Sequence, residues 1–510
     1  MLFTSYEFLL LFLPLFLCCW WIISLSARAY LPLLLLGASA VFYSLWGLGF
    51  LVLLVAMISL NYVFGLVIQS MPDDAPPHNS PDKAPTPRTT FWTRKKILVA
   101  ALLCNLAPLC YFKYSTFILN NINILLGSNL HSGVTALPLG ISFYTFIQIA
   151  WLITVYRRQI RTEGFTQYAL FSSCFPYVIS GPIVRYSQVG PQFAALDGIK
   201  AANVAPALSL FVMGLGKKVL LADSLAVYAN SIFNAAEKGF PLTGAEAWAG
   251  SLAYTFQLYF DFSGYTDMAL GIALLLGIRL PDNFDSPYKS TGVVDFWRRW
   301  HITLSSWLRD FLYIPLGGSR VGKLKQYRNL FLTMLLGGVW HGAGWPFVVW
   351  GAAHGAMLTI NHFFKSWAAA HLHPRVLDNP FTRVGSIFCT FVCINAAWVV
   401  FRADSIHGAS RIYEQMLHIF NESGGLWSNL FANHYIQDLQ CPLLLALCAL
   451  ITWCLPNSRE ILFGKSARQG GGRAWLSWTP SRFWAWGLAV LSLASLIMLS
   501  RKSVFLYFQF

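Results

Sequence analysis

His341 has the surroundings that most strongly suggest chemistry. It stands in NLFLTMLLGGVWHGAGWPFVVWGAAHG, where the nearest upstream charge is Arg328, thirteen residues away. At 1.5 Å rise per residue, a helix would carry the imidazole roughly 20 Å past that arginine, to the depth of a bilayer midplane. An imidazole can take a proton from a hydroxyl near neutral pH, which is the work of a general base. Gly337, Gly338, Gly342 and Gly344 surround it. Glycines let a backbone bend, or let a ligand or second helix come close. Gly337, Gly338 and Trp340 are therefore expected to line a narrow passage beside the histidine. The alternative is a histidine hydrogen-bonded between helices, with the glycines serving tight packing.

Forty residues earlier, DFWRRWHITLSSWLRDFLYIPLGGSR covers residues 295–320 and mixes tryptophans with arginines. It is too charged for a plain span and too aromatic for a solvated loop, so it reads as an interfacial or re-entrant element. His301 within it is the second candidate for the catalytic site, against the plainer reading of an interfacial histidine. Arg298, Arg299, Lys323 and Lys325 could hold the phosphates of a cytoplasmic acyl donor through charge-assisted bonds. They could equally be ordinary cytoplasmic anchors. In AYTFQLYFDFSGYTDMALG, Gln257 and Asp261 share a helix face at i,i+4, and Ser263–Gly264 can break the helix. Gln257 and Asp261 either line a polar cavity, or the acids Asp261 and Asp267 pair with nearby arginines. His354 lies about 220° around a continuous helix from His341, so it reads as a packing residue or as part of a separate helix.

The elements that must position these groups are bilayer-length. Crossing roughly 30 Å of hydrocarbon takes about 20 apolar residues. Runs near that length cover 8–25, 30–45, 48–68, 97–111, 137–156, 206–222, 248–260, 265–280, 330–340, 347–360, 384–401, 442–455 and 484–499. About 10–13 spans are expected, some tilted, broken or re-entrant. The first run lacks a basic leader and a small-residue cleavage site, and reads as a retained span. Composition agrees: 56% of the 510 residues are hydrophobic and 11% charged, where a soluble domain carries about a quarter charged residues. The expectation is an all-α polytopic protein with one integral membrane domain over 1–510.

Two segments interrupt it. Residues 70–96 are rich in Pro, Asp and Ser and read as a flexible cytoplasmic loop. Residues 403–438 form a polar excursion whose stretch 409–420 is amphipathic enough to lie on the interface. Basic loops (Arg28; Lys83 to Lys96; Arg157, Arg158, Arg161) alternate with neutral ones, which places the N-terminus outside the cytoplasm. The formal charge of +15 is explained in the same way, so nucleic acid is not expected as a partner. The ten cysteines lie mostly inside apolar runs without a CxxC, and no metal is expected.

Nine stretches resemble the membrane-bound O-acyltransferase family, most of all its bacterial branch that acetylates alginate or D-alanylates teichoic acids. They are MLFTSYEFLLLFLP, LPLGISFYTF, FPYVISGPIVRY, GLGKKVLLAD, LYFDFSGYTDMALG, NFDSPY, DFWRRWHITLSSWLRDFLYIPLGG, VWHGAGWPFVVWGAAHG and AAWVVFRA, in order along residues 1–403. The resemblance implies that His341 is catalytic and that His301 lies on the same reaction tunnel. It also implies a ring of tilted helices and re-entrant helices around a central tunnel. The expected donor is acetyl-CoA, with no resident cofactor. The expected acceptor is an extracytoplasmic polysaccharide such as alginate or cellulose, reached through a periplasmic acetyltransferase partner. The expected location is a bacterial inner membrane. Acylation of peptidoglycan or teichoic acid is the competing enzymatic reading. A membrane transporter is the competing class, disfavoured because no internal repeat is visible.

Overall fold

A computed structural model describes residues 2–72, 93–134, 136–377, 379–419, 423, 425–464, 472 and 474–499, which are mostly helical with no strand among them. The expected loop over 70–96 falls largely outside these residues. The chain divides into two compact units, one built mainly from residues 7–200 and the other mainly from 201–272 and 281–510.

The first unit contains α1 (Leu13–Ser26), α2 (Leu31–Ser44), α3 (Leu48–Ser70), α4 (Arg94–Leu126), α5 (Ile141–Tyr156), α6 (Phe165–Ser173) and α7 (Tyr186–Ala194). A π-helical turn, Glu7–Phe12, precedes α1. Leucine-rich faces of α1 and α3 stay exposed, as helices meeting lipid should. Inside, polar side chains hold the helices together. Asn61 of α3 donates to Asn105 of α4 at 3.0 Å and to Gln148 of α5 at 2.5 Å. Asn105 donates back to Asn61 at 2.6 Å. Lipid offers no competing water, so such amide pairs join helices that an apolar contrast alone would not. The helix ends use the basic residues. Arg94 donates to Ile68 O in the last turn of α3 and to Tyr156 O at the end of α5, and Arg158 donates to Gln69 O and Met71 O. A cation at a helix C-terminus satisfies orphan carbonyls and opposes the dipole.

The second unit contains α8 (Ala201–Gly216), α9 (Asp223–Lys238), most of α10 (Gly244–Leu275), α11 (Val293–Arg299), α12 (Ile302–Leu308), α13 (Lys323–His341), α14 (Trp345–His371), α15 (Pro374–Leu377), α16 (Pro380–Arg402), α17 (Ile406–His418), α18 (Leu426–Leu430), α19 (Gln440–Cys454), α20 (Ser458–Phe463) and α21 (Arg482–Met498). Helix α10 opens with a reciprocal cap: Thr243 N donates to Glu246 Oε2, and Glu246 N to Thr243 Oγ1. It then runs unbroken for 32 residues. The two apolar runs 248–260 and 265–280 are thus largely one helix, and Ser263–Gly264 does not break it. The glycine serves packing instead, since a Cβ at Gly264 would lie 2.7 Å from Gly214 O of α8.

Among the described residues, five helices are long and apolar enough to cross a membrane: Glu7–Ser26, Leu48–Ser70, Arg94–Leu126, Ala201–Lys238 and Pro380–Arg402. Shorter apolar helices cover Arg28–Ser44, Ile141–Tyr156, Gln440–Cys454 and Arg482–Met498. Residues 295–320 form no span. They fold as α11, α12 and a π-helical turn Arg309–Tyr313. The amphipathic stretch after residue 403 is α17, which buries Ala409, Ile412 and Met416 against α9 and α16.

Candidate active site

Helix α13 begins at the exposed Lys323 and ends on His341 itself. Gly342 and Gly344 are extended, and α14 starts at Trp345. The two helices therefore form an antiparallel hairpin with His341 at its tip. Glycine keeps the hairpin tight. A Cβ at Gly338 would lie 2.4 Å from Phe347 O, one at Gly351 2.7 Å from Met334 O, and one at Gly355 2.9 Å from Phe331 Cα. Gly338, expected beside a passage, has its space taken by the second helix. At Gly337 the nearest atom to an added Cβ is Leu308 Cδ1 at 3.4 Å, an ordinary contact. Gly351 and Gly355 complete the seam and were not singled out from sequence. Their signal was the spacing of small residues at i,i+4, which reads as packing only once the partner helix is known.

The imidazole of His341 is buried among rings. Trp340, Trp350 and Phe401 lie 4.8, 5.0 and 5.3 Å away between centroids, all edge-on. Trp350 also stacks on Trp398 at 5.8 Å, and Trp398 meets Trp300 at 5.1 Å. The next residue after Trp300 is His301. One aromatic core thus joins the hairpin tip to the second histidine's segment. His354 belongs to that core as well. Its Nδ1 accepts from Trp297 Nε1 at 3.1 Å, which ties α14 to α11 and gives it a packing role on a helix separate from His341.

His301 sits between α11 and α12 with φ +42° and ψ +55°, the left-handed region that a residue with a Cβ rarely adopts. Strain of this kind, of order 1–3 kcal/mol, persists only where surrounding structure holds it. Here the hold is backbone pairing: Asp285 N donates to Arg299 O at 2.9 Å, and Ile302 N to Asn283 O at 3.0 Å. The side chain is fully buried, edge-on to Phe262 at 4.8 Å, and its Nδ1 is 3.0 Å from Asn283 Oδ1. Asn283 opens the NFDSPY stretch. Sequence reading gave it no role because nothing in the spacing announces a contact across eighteen residues.

Asn283 borders a small cavity of about 20 Å³, whose wall combines Lys217, Ser263, Thr266, Asp267 and Asp282 with apolar side chains such as Leu210, Leu270 and Phe463. Ser263 Oγ, Thr266 Oγ1 and Asn283 Nδ2 are buried without a protein hydrogen-bond partner. The space suits about one water rather than a substrate.

A family model described as the membrane-bound O-acyltransferase family matches residues 88–400, a stretch that contains both histidines, the hairpin and all of the aromatic core named above except Phe401. The chain belongs to the membrane-bound O-acyltransferase family. It is similar to a peptidoglycan O-acetyltransferase of Helicobacter pylori, 36% identical with 100% of this chain and 98% of the relative covered. It is similar also to a probable alginate O-acetylase of Pseudomonas aeruginosa, 42% identical over 84% of this chain and 76% of the relative. A teichoic acid D-alanyltransferase of Streptococcus thermophilus is 28% identical over 52% of this chain and 68% of its own. The protein is thus an acyltransferase and a multi-pass membrane protein.

Within this acyltransferase the remaining predicted site residues divide. Gln257 is buried on α10. Asp261 pairs with Lys218 at 2.7 Å, and Lys218 reaches Asp223 at 2.6 Å. Asp267 pairs with Lys217 at 2.7 Å and accepts from Ser458 at 2.5 Å. The expectation that arginines would pair these acids is corrected. Lysines from the π-helical turn Lys217–Ala222 do so, because that turn packs against α10, where Gly264 sits close to Lys217 Cβ and Lys218 N. Arg299 bridges to Asp295 at 3.0 Å within α11. Arg298 is exposed, as are Lys323 and Lys325 at the start of α13. From Lys323 to His341 is eighteen residues of helix, roughly 27 Å, so those lysines and the histidine occupy opposite ends of one element.

Proposed function

We propose that this acyltransferase takes an acetyl group from cytoplasmic acetyl-CoA and delivers it across a bacterial inner membrane for O-acetylation of an extracytoplasmic polysaccharide such as alginate. The observation that carries the reading is similarity along most of the chain to relatives named a probable alginate O-acetylase and a peptidoglycan O-acetyltransferase. Peptidoglycan is the second reading, supported by the peptidoglycan O-acetyltransferase that is 36% identical over the whole chain; a probable alginate O-acetylase of Pseudomonas putida matches the whole chain as well, at 38%.

In this reading His341 is the general base. It takes the proton of the acceptor hydroxyl as the oxygen attacks the thioester carbonyl carbon, and the C–S bond then breaks. The proton passes to the leaving thiolate, so the histidine returns to its starting state. A site closed by tryptophan and phenylalanine keeps water from hydrolysing the thioester. His301 serves the same reaction. The exposed Arg298, Lys323 and Lys325, with Arg299, would attract the phosphates of the donor. A charged donor cannot enter lipid, so only the small acetyl group passes between the two sides, and a periplasmic acetyltransferase partner completes delivery.

The test is acetyl transfer from radiolabelled acetyl-CoA by the purified protein in vesicles. His341→Ala is expected to lose at least nine-tenths of the transfer while keeping its thermal stability, since a positioned base contributes about 10²–10⁴-fold. Activity above about a tenth of the parent's, by that reasoning, overturns the role of His341. No transfer by the parent chain from acetyl-CoA overturns the donor.

A further inference from the structure

The chemistry of Asn283 bears on which nitrogen of His301 carries a proton, and the argument rests on the acyltransferase reading above. Asn283 Oδ1 lies 3.3 Å from Thr303 N and 2.9 Å from Thr303 Oγ1, besides its 3.0 Å contact with His301 Nδ1. A backbone N–H can only donate, so the atom facing Thr303 N is the amide oxygen. Turning the amide over would set Nδ2 against that N–H, donor against donor. An amide oxygen in turn only accepts. The group facing it across 3.0 Å must therefore be Nδ1–H, since a bare Nδ1 would place lone pair against lone pair.

We infer that Asn283 is a positioning residue that holds His301 as its Nδ1–H tautomer, leaving Nε2 as the basic nitrogen of the second catalytic-site histidine. Three features build this arrangement. Asn283 is itself about 1% exposed and His301 fully buried, so water does not compete for the bond. The asparagine is held through its backbone as well as its side chain, because its backbone carbonyl accepts from Ile302 N at 3.0 Å. The left-handed backbone of His301 turns the chain sharply between α11 and α12, so the strained residue and its hydrogen-bond partner form one unit. A neutral imidazole with a fixed Nδ1–H can accept a proton or a hydrogen bond only at Nε2. Free choice between tautomers would leave a fraction of molecules with the wrong nitrogen forward.

The asparagine's Nδ2 has no protein hydrogen-bond partner. Aspartate at this position would keep every acceptor bond and sacrifice none of the donor ones. Asn283→Asp should then preserve the tautomer, and Asn283→Ala should not.

Solid-state NMR of the full-length protein in lipid vesicles, with 15N-labelled histidine, reads the tautomer directly. The His301 signals are those missing from His301→Gln. The parent and Asn283→Asp are expected to show a protonated Nδ1, and Asn283→Ala a shift of protonation toward Nε2. In the acetyl-CoA assay, Asn283→Ala is expected to lower kcat about 10²-fold, with KM for acetyl-CoA changed less than about threefold, and Asn283→Asp to recover most of the loss. A parent protonated at Nε2, or a tautomer unchanged in Asn283→Ala, overturns the inference. So does equal loss of kcat in the two variants, which a merely structural asparagine would give. If the parent does not use acetyl-CoA, the donor assignment fails while the NMR result still decides the tautomer.

Discussion

His341 and His301 sit in different surroundings. His341 meets rings on three sides. His301 is set by a hydrogen bond and by the backbone. A buried cation at this scale, Lys218, is structural. It is 3% exposed and lies within 2.7 Å of both Asp223 and Asp261. Removing one partner of a buried ion pair leaves charge uncompensated, at a cost of about 3–5 kcal/mol. Lys218→Met is expected to lower the thermal unfolding midpoint in detergent clearly, even though Lys218 stands apart from the histidines in sequence. An unchanged midpoint would mean that these carboxylates do not depend on the lysine.

The hairpin of α13 and α14 is the element that presents His341, and its glycines have unequal duties. Gly338 lies against backbone, which cannot swing aside as a side chain can. Overpacking a tight core typically costs about 1–3 kcal/mol, and a leucine here would push the two helices apart. Gly338→Leu is expected to lose acetyl-CoA binding, transfer and thermal stability together. Retained donor binding with lost transfer would instead mean that Gly338 lines the acyl passage. Gly337 meets only the end of the Leu308 side chain. Gly337→Ala is expected to fold at least as stably as the parent, since alanine gains about 0.8–1 kcal/mol of helix propensity. Loss of transfer in that stable variant would identify Gly337 as a wall of the passage.

Across the whole molecule, charge distribution gives an expected orientation. The turn after α5 holds Arg157, Arg158 and Arg161, whereas residues 114–136 carry no charge. By the positive-inside rule the first is expected in the cytoplasm and the second outside. Cysteines introduced at the exposed Gln159 and Asn129 test this in cells, against the labelling of the parent chain. Asn129→Cys is expected to react with an impermeant maleimide in spheroplasts, and Gln159→Cys only after lysis. The reverse pattern would move the donor side and undo the acetyl-CoA proposal.

Much of this protein was legible in its sequence because lipid imposes a simple rule. Apolar runs of bilayer length must be helices, since backbone groups there have no other partner, and α3, α5 and α16 lie within a few residues of the runs that forecast them. The two histidine blocks stood out for the same reason: polar groups in an apolar setting are costly enough to notice. Sequence alone could not say that Ser263–Gly264 stays helical, because a glycine in a helix is tolerated when another backbone needs its space, and that backbone belongs to α8, some fifty residues away. Nor could it pair Asp261 with Lys218, or Asn283 with His301. Composition and periodicity are properties of neighbours along the chain. Which donor meets which acceptor depends on how helices pack, and only the tertiary structure decided that.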